Sequence, residues 1–298
     1  MHFGAVLLPE HRWPEGRGLW QQAEQMGFEH LWTYDHLSWR TLRDGPWFAA
    51  LPTLVAAATA TGRARLGPLV ASPNFRHPLT LAKELVALDD ISGGRAVAGL
   101  GAGGTGFDAT ALGQGLLSPA DRASRFEEFV QVLDLLLTEP AASWSGQWYT
   151  VDEGRVLPGC TQQPRLGFAI AAAGRRTLRL AARYGDYWVT YGRSGCDGDL
   201  QAPGPGAAAV ARECSELDEE CASAGRQPGA VRRMVLTGLR LAPAFSSPGE
   251  LEDMVGHYEA AGVTDLVFHW PRPGEPFRAD RAAFERSFGA VLGTSGHR

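Results

Sequence analysis

Asp35 and His36 stand together just after His30-Leu-Trp-Thr-Tyr34, a run whose aromatic and β-branched residues read as a strand. Histidine can give or take a proton near neutral pH, and a neighbouring carboxylate can fix which ring nitrogen carries it. A solvated turn would use the same two residues. Their place at a strand's carboxyl end is what argues for chemistry. A second feature is Ala171-Ala-Ala-Gly-Arg-Arg-Thr177. Its small residues leave the first amides of a following helix uncovered, which makes a ready anion site. Arg175 and Arg176 sharpen that reading, because a cation at a positive helix end costs roughly 0.3–1 kcal/mol unless an anion answers it. The plain alternative is two solvated surface arginines. Third, Gly99-Leu-Gly-Ala-Gly-Gly104 follows a strand and satisfies GxGxxG. The segment after it, Thr105–Leu117, is broken by glycines, and no acid-tipped strand follows about twenty residues on, so the dinucleotide fingerprint is incomplete. The glycines instead let the backbone pass close to something bound above the sheet.

The elements that must position these residues alternate. Candidate strands run over Phe3–Leu8, His30–Tyr34, Arg65–Ala71, Ala96–Leu100, Leu166–Ala171, Tyr187–Tyr191, Arg232–Leu239 and Asp265–Trp270. Between them lie helical patterns. Phe126, Phe129, Val130, Leu133, Leu136 and Leu137 fall on one apolar face, as do Leu251, Met254, Val255, Tyr258 and Ala261. Gly27, Gly62, Gly185 and Gly262 stand just past helix ends, and Pro78 stands where a helix begins. Eight βα units predict a closed parallel (βα)8 barrel, a TIM barrel, as one domain over residues 1–298, with its chemistry at the carboxyl ends of the strands. Two segments break the alternation. Residues 143–163, with Trp144, Trp148 and Tyr149, read as a hairpin or extended insertion before the fifth strand. Residues 192–206, with Gly-Cys-Asp-Gly and Pro-Gly-Pro-Gly, read as a flexible, lid-like loop after the sixth.

Composition narrows the chemistry. A net charge of −5 without a basic cluster argues against nucleic acid as partner. No apolar run reaches the roughly 20 residues that cross a bilayer, and the start has no basic segment of a signal peptide, so we expect a cytoplasmic protein with no membrane partner. Cys160, Cys196, Cys214 and Cys221 lack ligand spacing and the histidines form no cluster motif, so no metal site is expected. Lysine occurs once, at Lys83 within a helical pattern, which argues against Schiff-base and pyridoxal chemistry.

Several pieces in order carry a resemblance: Tyr34-Asp-His-Leu37, Arg65-Leu-Gly-Pro-Leu-Val-Ala-Ser-Pro73, Phe75-Arg-His-Pro78, Leu88-Asp-Asp-Ile-Ser-Gly-Gly-Arg95, Gly99-Leu-Gly-Ala-Gly103, Gly174-Arg-Arg-Thr-Leu-Arg-Leu-Ala-Ala182 and Gly185-Asp-Tyr-Trp188. In these the chain resembles the bacterial luciferase-like monooxygenases, within them the oxidoreductases that use the deazaflavin coenzyme F420. The resemblance implies a barrel with the tricyclic ring at the strand ends and a non-prolyl cis peptide behind it, here Leu69–Val70. It implies a cofactor bed of Leu69, Val70, Ala71, Ser72, Gly101 and Gly103, with the phosphate on Ala172, Ala173, Gly174, Arg175 and Arg176 and Gly192 nearby. His36 would be the proton carrier. Related deazaflavin enzymes often place a glutamate just after the strand-four glycines; here Gly104 and Thr105 fill that stretch, and Asp108 is the nearest substitute. The acids of the helical stretch Pro119–Leu137 read as a solvated face.

Tryptophans gather on loops at the same end: Trp13, Trp39, Trp47 and Trp270. They suggest an apolar or aromatic small-molecule substrate. The expected activity is hydride transfer between coenzyme F420 and such a substrate, with His36, Asp35 and Asp108 as catalytic candidates. A reduced-FMN monooxygenase and a non-catalytic cofactor-binding protein of the same fold remain as alternatives, and the resemblance suggests a homodimer.

Overall fold

The computed structural model describes residues 1–104, 106–193 and 200–295. Thr105, and residues 194–199 with Cys196 and most of the glycine-rich loop, lie outside them. In chain order the elements are β1 (His2–Val6), α1 (Trp13–Gln25), β2 (His30–Thr33), α2 (Ala50–Ala60), β3 (Arg65–Pro68), α3 (Pro78–Ser92), β4 (Val97–Leu100), α4 (Phe107–Ala111) and α5 (Pro119–Thr138). There follow β5 (Ala141–Ser145), β6 (Thr150–Arg155), β7 (Gly167–Ala171), α6 (Arg175–Tyr184), β8 (Tyr187–Thr190), α7 (Pro203–Ser223), β9 (Arg232–Leu236), α8 (Pro248–Ala260), β10 (Asp265–His269) and α9 (Arg281–Ser295).

Eight strands form one parallel sheet in the order β3-β2-β1-β10-β9-β8-β7-β4. Single bridges Leu66↔Ala96 and Ala71↔Leu100 join its two ends, so the sheet curls into the expected barrel. Both faces of each strand are covered, which is why the strands read as continuous apolar runs. Val6, Trp32, Leu69, Val97, Tyr187, Val189, Met234 and Val267 fill the interior. Their neighbours in alternation, such as Leu31, Leu66, Phe168, Trp188, Val235 and Phe268, pack under the helices. Helix starts follow local chemistry. The Ser118 side chain accepts the Asp121 amide ahead of α5, Ser247 does the same for Glu250 ahead of α8, and each helix has proline in its first turn.

The paired strands are shorter than the sequence suggests, most visibly β3, which ends at Pro68 rather than Ala71. Beyond it the Leu69–Val70 peptide is cis, and Ala71 pairs with Leu100 only as an isolated bridge at the barrel seam. The insertion is the antiparallel β5–β6 hairpin, held to α5 by Glu128. That buried carboxylate accepts the amides of Gln147, Trp148 and Tyr149 and the Trp144 indole N–H, so the acids of α5 are not all solvated as expected. Pro203-Gly-Pro-Gly206, expected as loop, is instead the first turn of α7, where proline's missing N–H costs nothing. No helix among the described residues is long and apolar enough to cross a membrane.

Candidate active site

His36 emerges from β2 at the carboxyl end of the barrel, and its ring is fixed from α4. Its Nδ1 donates to Asp108 Oδ2 at 2.7 Å, and the Leu37 amide donates to Asp108 Oδ1 at 2.7 Å. Because one buried carboxylate accepts both, the His36 proton sits on Nδ1 and Nε2 is left as the atom that can exchange one. The Trp47 indole donates to the His36 carbonyl at 2.9 Å, which pins the backbone as well. The ring keeps 29% of its surface open.

Asp35 does something else. Its two oxygens accept Nη2 and Nε of Arg76 at 2.7 and 2.9 Å, and Arg76 reaches on to Glu84 at 2.9 Å. Burial pushes the Asp35 carboxyl above its ordinary range, against the Arg76 hydrogen bonds. Asp35 therefore ties β2 to the approach of α3. It does not orient the His36 ring, a correction to the adjacency argument that has a simple cause: consecutive residues on an extended chain point opposite ways.

Beside His36 the rim is built from small residues. The seam is stitched by the Ala71 amide to the Gly99 carbonyl (2.8 Å) and the Gly101 amide to the Ala71 carbonyl (3.0 Å). A methyl group on Gly101 would come 2.5 Å from Val70 Cγ2. Gly103, at φ +73°, lies so near Asn74 that an added Cβ would sit 2.4 Å from its amide nitrogen. Ser72 is buried and its hydroxyl has no hydrogen-bond partner among the described residues. Across the barrel, the Ala172 amide donates to the Val189 carbonyl and the Trp188 indole to the Ala172 carbonyl. Gly192 adopts φ +89° and its amide donates to Thr190 Oγ1, whose hydroxyl is fixed by buried Glu213 at 2.6 Å.

At α6 the amides of Arg175, Arg176 and Thr177 have no acceptor within the helix, and Thr177 Oγ1 accepts the Gly174 amide. The arginine side chains, however, are answered by the protein: Arg175 by Glu220 (2.9 Å) and Arg176 by Glu127 (2.7 Å). The electrostatic argument for a phosphate at these two side chains is thereby corrected, because carboxylates already balance them. Two arginines the sequence reading passed over fit an anion better. Arg122 and Arg125, one helical turn apart on α5, line a cavity of about 110 Å³ together with Asn74, Gly104, Ala109 and Leu116. Arg122 Nη1 donates to the carbonyls of Gly103 and Gly104, and Arg125 Nη2 donates to Asn74 Oδ1. The Nε atom of each is buried without a partner among the described residues. Burial and the neighbouring Arg122 push the Arg125 guanidinium down, with Tyr149 working the other way. The i,i+3 spacing of these arginines ahead of an apolar helix face was the available signal.

The four tryptophans divide. Trp39 is buried against Tyr34 (5.3 Å between centroids), and Trp47 holds His36, so both belong to the site. Trp13 and Trp270 line a separate cavity of about 200 Å³ with Leu8, Pro9, Trp20 and Pro271. Trp270 also packs on Phe284 and under Arg281 as part of the outer core. Their assignment to the pocket of His36 is corrected: Trp270 follows inward-facing His269 and so points outward. Reasoning from sequence also missed His269 itself. It shares a 2.7 Å hydrogen bond with the Tyr34 hydroxyl inside the barrel mouth, and burial pushes its imidazole down to about 3.

At the carboxyl ends of a parallel barrel, where such folds place their sites, a histidine paired to a buried carboxylate stands beside a strip of glycine, alanine and serine. The chain matches the luciferase-like monooxygenase family over residues 1–262, and it belongs to that family. It is similar to 4-hydroxyprotoasukamycin monooxygenase from Streptomyces nodosus subsp. asukaensis (34% identical, over 64% of this chain and 52% of that protein). It is also similar to F420-dependent glucose-6-phosphate dehydrogenase from Kineococcus radiotolerans (30% identical, over 59% and 52%). The match thus spans about half the length of these relatives. Among solved structures, an F420-dependent secondary alcohol dehydrogenase shares the fold with a TM-score of 0.81 and 16% identity, over 97% of each chain.

Proposed function

We propose that this enzyme transfers a hydride between coenzyme F420 and an apolar or aromatic organic substrate. The observation that carries the reading is the His36–Asp108 pair: a histidine whose tautomer is set by a buried carboxylate, with Nε2 unpaired among the described residues, standing beside a strip of small residues. That strip fits a tricyclic ring. Gly101 and Gly103 let Val70 and Asn74 close in beneath it, since a Cβ on either would press on those side chains, and the Ser72 hydroxyl, unpaired among the described residues, can hydrogen-bond a ring edge. Arg122 and Arg125, with the open amides of α6, suit a phosphorylated tail. When bound, the deazaflavin supplies or accepts the hydride. The protein's part is to hold the ring against Leu69–Val70 and Gly101 and to keep His36 in one tautomer. His36 Nε2 moves the proton that accompanies the hydride, and the aromatic side of the mouth excludes water.

Two observations support an apolar substrate. Trp39, Tyr34 and Trp47 surround the approach to His36, and Leu37, Phe107, Leu112 and Leu116 are large apolar side chains left exposed around Asp108. An F420-dependent relative and a monooxygenase relative both stand close in sequence, so the discriminating experiment is oxygen stoichiometry. Under turnover with reduced F420, product should form at the same rate with and without oxygen. Consumption of one O2 per product with reduced FMN, and none of this turnover with F420, would replace this reading by the monooxygenase one. We further propose that the enzyme acts in the cytoplasm as a homodimer.

A further inference from the structure

The rim has two halves of unlike composition, and His36 stands between them. One half is the small-residue strip. The other is filled by rings: Tyr34, Trp39, His269 and Phe277, with Tyr34 at 6.1 Å from the His36 ring. Phe277 lies flat on His269, 3.4 Å between centroids at 5°, and against Trp39 at 5.6 Å. Gly238 makes the approach possible, because a Cβ there would come 2.9 Å from His269 Nδ1 and 3.3 Å from Phe277 Cδ1.

The segment that carries Phe277 is closed on itself. The Ala279 amide donates to the Arg272 carbonyl (3.2 Å), and Arg272 Nη1 donates to the carbonyls of Pro276 (2.6 Å) and Gly274 (3.2 Å). The same guanidinium donates through Nε and Nη2 to Glu10, at the exit of β1, at 2.7 and 2.8 Å. A bidentate pair of this kind fixes orientation as well as distance. Phe277 is therefore a wall braced from another strand, with buried aromatic neighbours on two sides.

We infer that Phe277 is a specificity-determining residue: braced by Arg272 and Glu10, its ring is the back wall of the substrate half and limits the size of the group a substrate places there. The inference rests on the proposed function only in taking the aromatic half as the substrate's. Widening an apolar pocket by even one methylene changes selectivity by about tenfold or more, so removing a phenyl ring is readable in simple binding.

The test uses the full chain and two probes, phenol and 2-naphthol, by isothermal titration, with F420 and FMN titrated in parallel. Phe277→Ala should raise the affinity for 2-naphthol relative to phenol by at least about tenfold. Phe277→Trp should shift the ratio the other way, by weakening 2-naphthol more than phenol. Glu10→Gln, which leaves every ring in place and only loosens the brace, should give a smaller gain for 2-naphthol. Cofactor affinity should stay within about twofold in all three variants, which also confirms that they fold. An unchanged probe ratio in Phe277→Ala and Phe277→Trp overturns the inference, as does failure of both probes to bind wild type and Phe277→Ala. A shifted ratio in a protein that binds neither cofactor would keep the wall and defeat the cofactor reading.

Discussion

Acid should unfold this protein partly through one imidazole. His269 is buried between Phe277 and the Tyr34 hydroxyl, and burial, reinforced by Arg272 and opposed by the Thr237 carbonyl, pushes it to about 3 from an ordinary 6.5. A depressed histidine stabilises the fold while both states are neutral, above about pH 6.5, and that stability is lost as pH falls towards 3, because the unfolded chain takes up the proton first. At 1.36 kcal/mol per pH unit the ceiling is about 5 kcal/mol, and between pH 7 and pH 5 the loss is about 2 kcal/mol. The perturbation is His269→Gln, whose amide oxygen can still accept from Tyr34 but does not titrate. Urea unfolding at pH 7, 6 and 5 measures it. The variant should be less stable at pH 7, yet its stability should fall by about 2 kcal/mol less than wild type on going to pH 5. The other histidines cancel in this comparison. Parallel pH profiles for the two proteins would refute the argument, whatever the absolute stabilities.

Other outcomes follow from the same geometry. Arg125→Gln and Arg122→Gln should each weaken cofactor binding by about tenfold or more, the loss of a charge-assisted hydrogen bond, whereas Arg175→Ala should change it less than about threefold because Glu220 already balances that charge; fluorescence titration separates the two. Asp108→Asn should leave cofactor affinity intact and lower kcat by about a hundredfold, since the amide can no longer impose the Nδ1–H tautomer of His36. Gly99→Ala should destabilise the barrel by about 3 kcal/mol or prevent folding, because the new methyl would lie 2.0 Å from the Pro68 carbonyl oxygen at the seam; denaturant midpoints measure it.

The barrel was legible because parallel strands buried on both faces are written as continuous apolar runs, and because glycine and proline mark where helices stop and start. His36 was legible as a candidate because it follows a strand, and strand ends are where such a fold does chemistry. What escaped were contacts between residues far apart in the chain. Asp108 reaches His36 across 71 intervening residues and was visible only as the nearest acid to a vacant position, while Asp35, next door, turned away to Arg76. Arg122 and Arg125 sat in a pattern that reads as an ordinary amphipathic helix, and their meaning appears only when α5 is laid against Asn74 and Gly103. Trp13 and Trp270 were on the right rim but the wrong side of it, because strand alternation fixes which way each points and the exact strand ends were not in the sequence.

The most direct test of the whole account is to titrate the purified enzyme with F420 and, separately, with FMN, and to follow ligand fluorescence for wild type and for Gly101→Val. If the small-residue strip is the bed of a deazaflavin, F420 binds wild type in the micromolar range, FMN binds far more weakly, and Gly101→Val abolishes the F420 signal while the fold stays intact by circular dichroism. Equal F420 binding to a folded Gly101→Val, or no binding of either cofactor to wild type, would contradict it.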